Sequence, residues 1–148
     1  MSHHQIEHLS VIGAGQMGSG IAQVFACQGY QVTLVDQHNS MLEKAKQGIH
    51  SSVEKLCKKG KISTEQKELG QTKVEYKLDL KEASNSQLVI EAVSEDEGLK
   101  TQVFSTLNDL TPEGTIFATN TSSIPITRLG KKSGRPDRFM GIHFMNPV

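Results

Sequence analysis

Apolar residues along this chain follow two alternating patterns. Short, nearly continuous apolar runs are separated by longer stretches in which apolar side chains return every three or four positions. Runs of the first kind, His8 to Ile12, Gln31 to Val35, Val74 to Tyr76, Gln87 to Val93, Thr115 to Thr119 and Phe139 to Phe144, read as strands. The stretches between them read as helices. Ile21, Ala22, Val24, Phe25 and Ala26 give Ser19 to Gln28 an apolar face, and Gly29 stands where a glycine ends a helix. Met41, Leu42, Ala45, Ile49, Val53 and Leu56 predict a long amphipathic helix reaching about Lys59, with Asn39 or Ser40 as its cap. A short second helix follows, capped by Ser63 or Thr64 and ending near Gly70. Leu99, Val103, Phe104, Leu107 and Leu110 mark another, stopped by Thr111-Pro112-Glu113-Gly114, and Pro125 opens a last one through about Lys131. Strand and helix in alternation predict an α/β domain: a mostly parallel sheet, helices on both faces, ligands beyond the strands' carboxyl ends.

The first strand runs into Gly13-Ala14-Gly15-Gln16-Met17-Gly18, a Gly-x-Gly-x-x-Gly turn that opens the first helix. Gly13 allows the sharp turn, Gly15 lets bare backbone approach a pyrophosphate, and Gly18 lets the helix pack close to the sheet. Free N–H groups at the helix start favour an anion there. The second strand ends at Asp36, close to the spacing at which a carboxylate grips an adenosine ribose. Residues 8–36 therefore read as a βαβ dinucleotide-binding unit of Rossmann type, doubly wound, with a helical hairpin inserted after the second strand. Gln37, His38 and Asn39 follow with no arginine, so the cofactor expected is NAD rather than NADP. FAD enzymes and some methyltransferases use similar turns and stay open at this point.

Composition narrows the class. The 148 residues suffice for one domain with its own core. Lys plus Arg and Asp plus Glu number 16 each, so no excess of basic charge points to nucleic acid or a membrane surface. No apolar run has the length of a membrane span, and no signal-peptide core precedes the first strand. Cys27 and Cys57 fall on predicted helices without metal-ligand spacing, which suits free thiols and a cytoplasmic setting; no metal is expected. His3 and His4 are assigned no function. Lys55, Lys58, Lys59 and Lys61 gather at the end of the long helix, as a solvated basic end or a seat for an anionic ligand.

Taken together, the strand ends offer the glycine turn, Asp36, the segment from Glu91 to Glu95, Asn120 to Ser123, and His143 to Asn146. A hydroxyl-bearing substrate near the later strand ends would meet Ser122 and His143. Alcohol oxidation needs a base for the hydroxyl proton and a donor to hold the oxygen.

The glycine turn with Ser19-Gly20-Ile21-Ala22-Gln23, Leu34-Val35-Asp36, Ile90-Glu91-Ala92-Val93, Asn120-Thr121-Ser122-Ser123 and His143-Phe144-Met145-Asn146-Pro147 together resemble the L-3-hydroxyacyl-CoA dehydrogenase family. The resemblance covers all but the first few residues and is narrowest toward bacterial 3-hydroxybutyryl-CoA dehydrogenases. It implies NAD-linked, reversible oxidation of a (3S)-3-hydroxyacyl-CoA to the 3-ketoacyl-CoA, in fatty-acid or butanoate metabolism. Carried over by residue, it makes His143 the base and Ser122 the donor to the substrate oxygen beside the nicotinamide. It sets Asn146 on the nicotinamide side and Glu95 and Lys100 beside the cofactor ribose and nicotinamide, and it gives Ser52 and Lys59 contacts with coenzyme A.

Two departures stand out. Asp96 occupies a position where the family usually has asparagine, and Gly98 falls near the start of the next helix, where it weakens local order. The resemblance also implies a glutamate partner for the histidine and a helical C-terminal domain that completes the acyl pocket and forms a homodimer. Neither lies within residues 1–148. The expectation is thus a single NAD-binding domain, truncated, that binds NAD with little or no turnover. Exposed apolar surface near its C-terminus, with self-association, is expected with it. A free-standing NAD-binding regulatory module and a dehydrogenase acting on hydroxyacids without coenzyme A are the rival readings.

Overall fold

A computed structural model describes residues 5–145. Asn146, one of the expected cofactor contacts, lies outside the described residues. Six strands form one sheet: β1 (His8–Ile12), β2 (Gln31–Val35), β3 (Val74–Lys77), β4 (Leu88–Glu91), β5 (Ile116–Thr119) and β6 (Phe139–Gly141). Their order is β3-β2-β1-β4-β5-β6, and every pairing is parallel. The helices are α1 (Gln16–Cys27), α2 (Asn39–Lys58), α3 (Thr64–Thr72), α4 (Glu97–Leu110) and α5 (Ile126–Ser133).

The period-two geometry of the strands sorts the core into two layers. Leu9, Val11, Val32, Leu34, Leu88 and Ile90 pack with α1 and α2 through Ile21, Ala22, Ala45 and Ile49. Their strand neighbours Ile12, Val35 and Val89 point the other way, onto Val103, Phe104 and Leu107 of α4. Helices thus cover both faces, as the alternation predicted.

Local chemistry explains some element ends. Gly29 takes φ +96° directly after the first helix. Ser63 and Gln66 close a capping box at the start of α3. Cys27 and Cys57 are free thiols, and burial pushes the Cys27 thiol up from its ordinary value.

Four expectations need correction. The first helix begins at Gln16, not Ser19, because its opening turn is part of the glycine loop. The cap of α2 is His38, without a side-chain bond; Asn39 and Ser40 lie inside the first turn. The buried run at Gln87–Val93 contributes only Leu88–Glu91 to the sheet. Most consequentially, the last strand stops at Gly141 rather than Phe144. Its neighbour β5 ends at Thr119, whose carbonyl accepts the final ladder bond from Ile142 N at 2.9 Å. Beyond it Phe144 N turns to the Asn120 side chain at 3.3 Å. His143 is therefore carried on a loop past the sheet, not on a strand.

Candidate active site

The glycine turn is shaped by what surrounds it. Gly13 sits at φ +106°, and a Cβ there would stand 2.6 Å from the Ala92 carbonyl oxygen of the neighbouring strand end. A side chain at Gly18 would overlap the Gly13 carbonyl oxygen and reach Val11, so this glycine seats the helix on the turn and the end of β1. Gly15 differs: apart from its neighbours in the chain, nothing lies within 4 Å of where its side chain would be. It is also the N-cap of α1, with no side-chain cap and no acidic residue in the first turn. The opening N–H groups are left for an outside acceptor, and the dipole favours an anion. A dinucleotide pyrophosphate fits that space.

Asp36 braces the same turn. One carboxylate oxygen accepts from Ala14 N and the other from His38 N, both at 2.9 Å. Each oxygen keeps a further lone pair for a ribose hydroxyl.

Two pockets open beside the turn. One, of ≈ 510 Å³, is a groove between α1 and α2, lined by Gly15, Gln16, Lys44, Gly48 and Ser52 among others. Gln23 Nε2 donates to Ser52 Oγ at 2.9 Å on the groove wall. Lys59 is absent from that lining; it caps α2 at its exposed end. The structure thus brings Ser52 to the glycine turn but leaves Lys59 apart from it.

The second pocket, of ≈ 410 Å³, gathers Met17, Glu95, Lys100, Asn120, Ser122 and His143. Glu95 accepts from Thr121 Oγ1 at 2.5 Å, from Ser122 N at 3.2 Å and from Ser122 Oγ at 3.5 Å. Burial works to raise the Glu95 carboxyl. The hydrogen bonds from Thr121 and Ser122, with the Lys100 ammonium, outweigh it and hold the carboxyl below its usual range. His143 is exposed on the pocket wall, and no carboxylate among the described residues pairs with it.

Beneath the floor lies a polar network that sequence reasoning missed. Glu91, wholly buried at the end of β4, accepts from Lys100 Nζ at 2.6 Å, Thr119 Oγ1 at 2.6 Å and Val93 N at 2.8 Å. Lys100, 2% exposed, also donates to Val93 O at 3.1 Å and stands 3.6 Å from Glu95 Oε1. Thr121 N donates to Thr119 Oγ1 at 3.2 Å, which ties the Ser122 loop to the same cluster. A glutamate in the last position of an otherwise apolar strand, nine residues before a lysine, was the available signal.

Residues 8–148 match the family described as "3-hydroxyacyl-CoA dehydrogenase, NAD binding domain". The chain belongs to this family. It is 47% identical over 139 residues to a probable 3-hydroxybutyryl-CoA dehydrogenase of Deinococcus radiodurans, covering 93% of this chain and 49% of that protein. The mitochondrial hydroxyacyl-coenzyme A dehydrogenase of Mus musculus is 43% identical, with 97% and 48% covered. The crystal structure of an Escherichia coli 3-hydroxybutyryl-CoA dehydrogenase superposes with a TM-score of 0.92 at 37% identity, covering 97% of this chain and 30% of that one. The chain spans about half the length of the curated relatives it matches.

Within this NAD-binding domain the departures find structural roles. Asp96 caps α4, its side chain accepting from Leu99 N at 2.9 Å. Gly98 follows two residues on, where a Cβ would stand 3.3 Å from the Asp96 carboxylate. Glu97 beside them pairs with Arg128 and Lys132, which fastens α4 to α5. Met140 and Met145 expose apolar side chains at the C-terminal end, where apolar surface was expected. No helix among the described residues is long and apolar enough to cross a membrane.

Proposed function

We propose that this domain serves the NAD-linked interconversion of (3S)-3-hydroxyacyl-CoA and 3-ketoacyl-CoA, with 3-hydroxybutyryl-CoA as the nearest substrate. The observation that carries the reading is the meeting of Met17, Glu95, Lys100, Ser122 and His143 in one pocket directly beside the glycine turn. Gly13 to Gly18 and Asp36 hold the pyrophosphate and adenosine ribose. Glu95 and Lys100 flank the nicotinamide half, and Asn146 is assigned a contact with the same half by the family resemblance. NAD, when bound, supplies the acceptor for the hydride that leaves C3. His143 takes the proton from the C3 hydroxyl in the oxidising direction and returns it in the reducing one. Ser122 donates to the same substrate oxygen and fixes its position. Ser52 and Lys59 contact the coenzyme A moiety, and the basic end of α2 suits its phosphates.

In this reading the part of the relatives beyond the match carries a helical domain that completes the acyl pocket, supplies the carboxylate partner of His143 and forms the homodimer. A carboxylate there orients imidazole and stabilises its charged form. The domain alone therefore binds NAD with little or no turnover and self-associates weakly through its exposed C-terminal face; its free thiols Cys27 and Cys57 suit the cytoplasm. Calorimetric titration with NAD, NADP, S-adenosylmethionine and acetoacetyl-CoA separates this reading from its rivals. Saturable binding of NAD, with NADP much weaker and S-adenosylmethionine silent, is expected. Preference for S-adenosylmethionine or NADP contradicts it, as does near-enzyme turnover of acetoacetyl-CoA and NADH by the domain alone.

A further inference from the structure

We infer that Glu91, acting through Lys100, sets the relative affinity of this site for oxidised and reduced NAD. The inference rests on the reading that the nicotinamide occupies the pocket of Glu95, Ser122 and His143. Every close partner of the Glu91 carboxylate is a donor: the Lys100 ammonium, the Thr119 hydroxyl and the Val93 N–H. The carboxylate acts only as an acceptor here, and it pairs with the Lys100 ammonium at 2.6 Å. Lys100 Nζ in turn faces only acceptors, Glu91 Oε2, the Val93 carbonyl and Glu95 Oε1. Two carboxylates, Glu91 buried and Glu95 43% exposed and so partly screened, stand against one ammonium and leave the pocket floor net negative. His143 is the only further titratable group among the described lining residues.

The charge balance reaches the ligand because of where it sits. Glu91 is 0% and Lys100 2% exposed, so water screens neither. The oxidised nicotinamide ring carries a positive charge and the reduced ring carries none. A net negative floor therefore favours the oxidised form, and Glu91 supplies the difference between a negative floor and a neutral one. Glu91 is a positioning residue in this scheme: it holds Lys100 in place and cancels its charge without lining the pocket itself.

The test is the ratio of the NAD and NADH dissociation constants, from NADH fluorescence titration and competition by NAD on the full chain. Glu91→Gln keeps the shape and removes one negative charge. The NAD to NADH ratio should rise on the order of five-fold, the effect of one unit charge across roughly 10 Å at an effective dielectric constant of about 30. Lys100→Gln removes the positive charge and should lower the ratio. Glu91→Gln/Lys100→Met removes both charges and should return the ratio to within about two-fold of the unsubstituted chain, although both affinities weaken. An uncharged buried pair is well tolerated in folding, so the ordering can be read between the double variant and Lys100→Gln if Glu91→Gln does not fold. A purely structural role weakens both ligands by one factor and leaves the ratio fixed in all variants. That result overturns this inference alone. An unsubstituted chain that binds neither form overturns the cofactor site with it.

Discussion

The two halves of the strand-end cleft are built on opposite plans. On the glycine-turn side, main chain does the work: Gly13 is wedged against Ala92, Gly18 against Gly13, and Asp36 bonds two backbone N–H groups. On the side of Ser122 and His143, side chains do it, and they fall into two tiers. Glu91, Thr119 and Lys100 are buried and bonded, whereas Ser122 and His143 stand exposed above them. The first half is braced by its own main chain and leaves only the N–H groups at the start of α1 for an outside acceptor. The second has a rigid floor and an open wall, which is the arrangement expected where further protein closes over substrate.

This contrast predicts a ranking of stability effects. The largest belongs to the floor. Lys100→Met strands the Glu91 carboxylate in the core and should cost about 3–5 kcal/mol, measured by urea unfolding. A loss below about 1 kcal/mol would mean that the floor is not the rigid tier. Asp36→Ala comes next, since it frees the part-buried Ala14 N–H and the exposed His38 N–H; about 1–3 kcal/mol is expected by the same assay.

A smaller effect is expected from pH. In the folded chain the Glu95 carboxyl lies below its usual range; in the unfolded chain it returns to it. The folded state then binds fewer protons, so Glu95 contributes stability above the ordinary carboxylate range. That contribution fades as pH falls through this range toward the folded value. Glu95 is partly exposed, and solvent screening keeps the effect modest. Acid-limb melting curves should be shallower for Glu95→Gln than for the parent; identical curves would remove Thr121 and Ser122 as its stabilisers. The smallest effect is at the wall. His143→Ala should change stability by less than about 0.5 kcal/mol and leave NAD affinity nearly unchanged, because its imidazole pairs with no described carboxylate. A large loss of stability would place His143 in the floor instead.

The same contrast explains what could be read from sequence. The main-chain half was legible because backbone geometry restricts residue type: a left-handed Gly13 and a sterically blocked Gly18 leave their mark as glycine spacing. Apolar periodicity likewise located the six strands and three of the five α-helices among the described residues, since burial of one face is a local constraint; Ser63 or Thr64 and Pro125 marked the other two. The side-chain floor was not legible as a unit. Thr119 lies 28 residues from Glu91, and only the parallel register of β4 with β5 sets the two opposite each other, while Lys100, nine residues on, reaches back from α4. Element ends were lost for a related reason. Where β6 stops depends on where β5 runs out of carbonyls, and that is a property of the pair.

The central claim is that the glycine turn and Asp36 hold NAD, and titration calorimetry of the parent chain beside Asp36→Ala tests it most directly. The parent should bind NAD saturably, and the variant at least about ten-fold more weakly, with its fold verified by circular dichroism. Equal affinity in the two proteins, or no heat from NAD with the folded parent, would contradict the account.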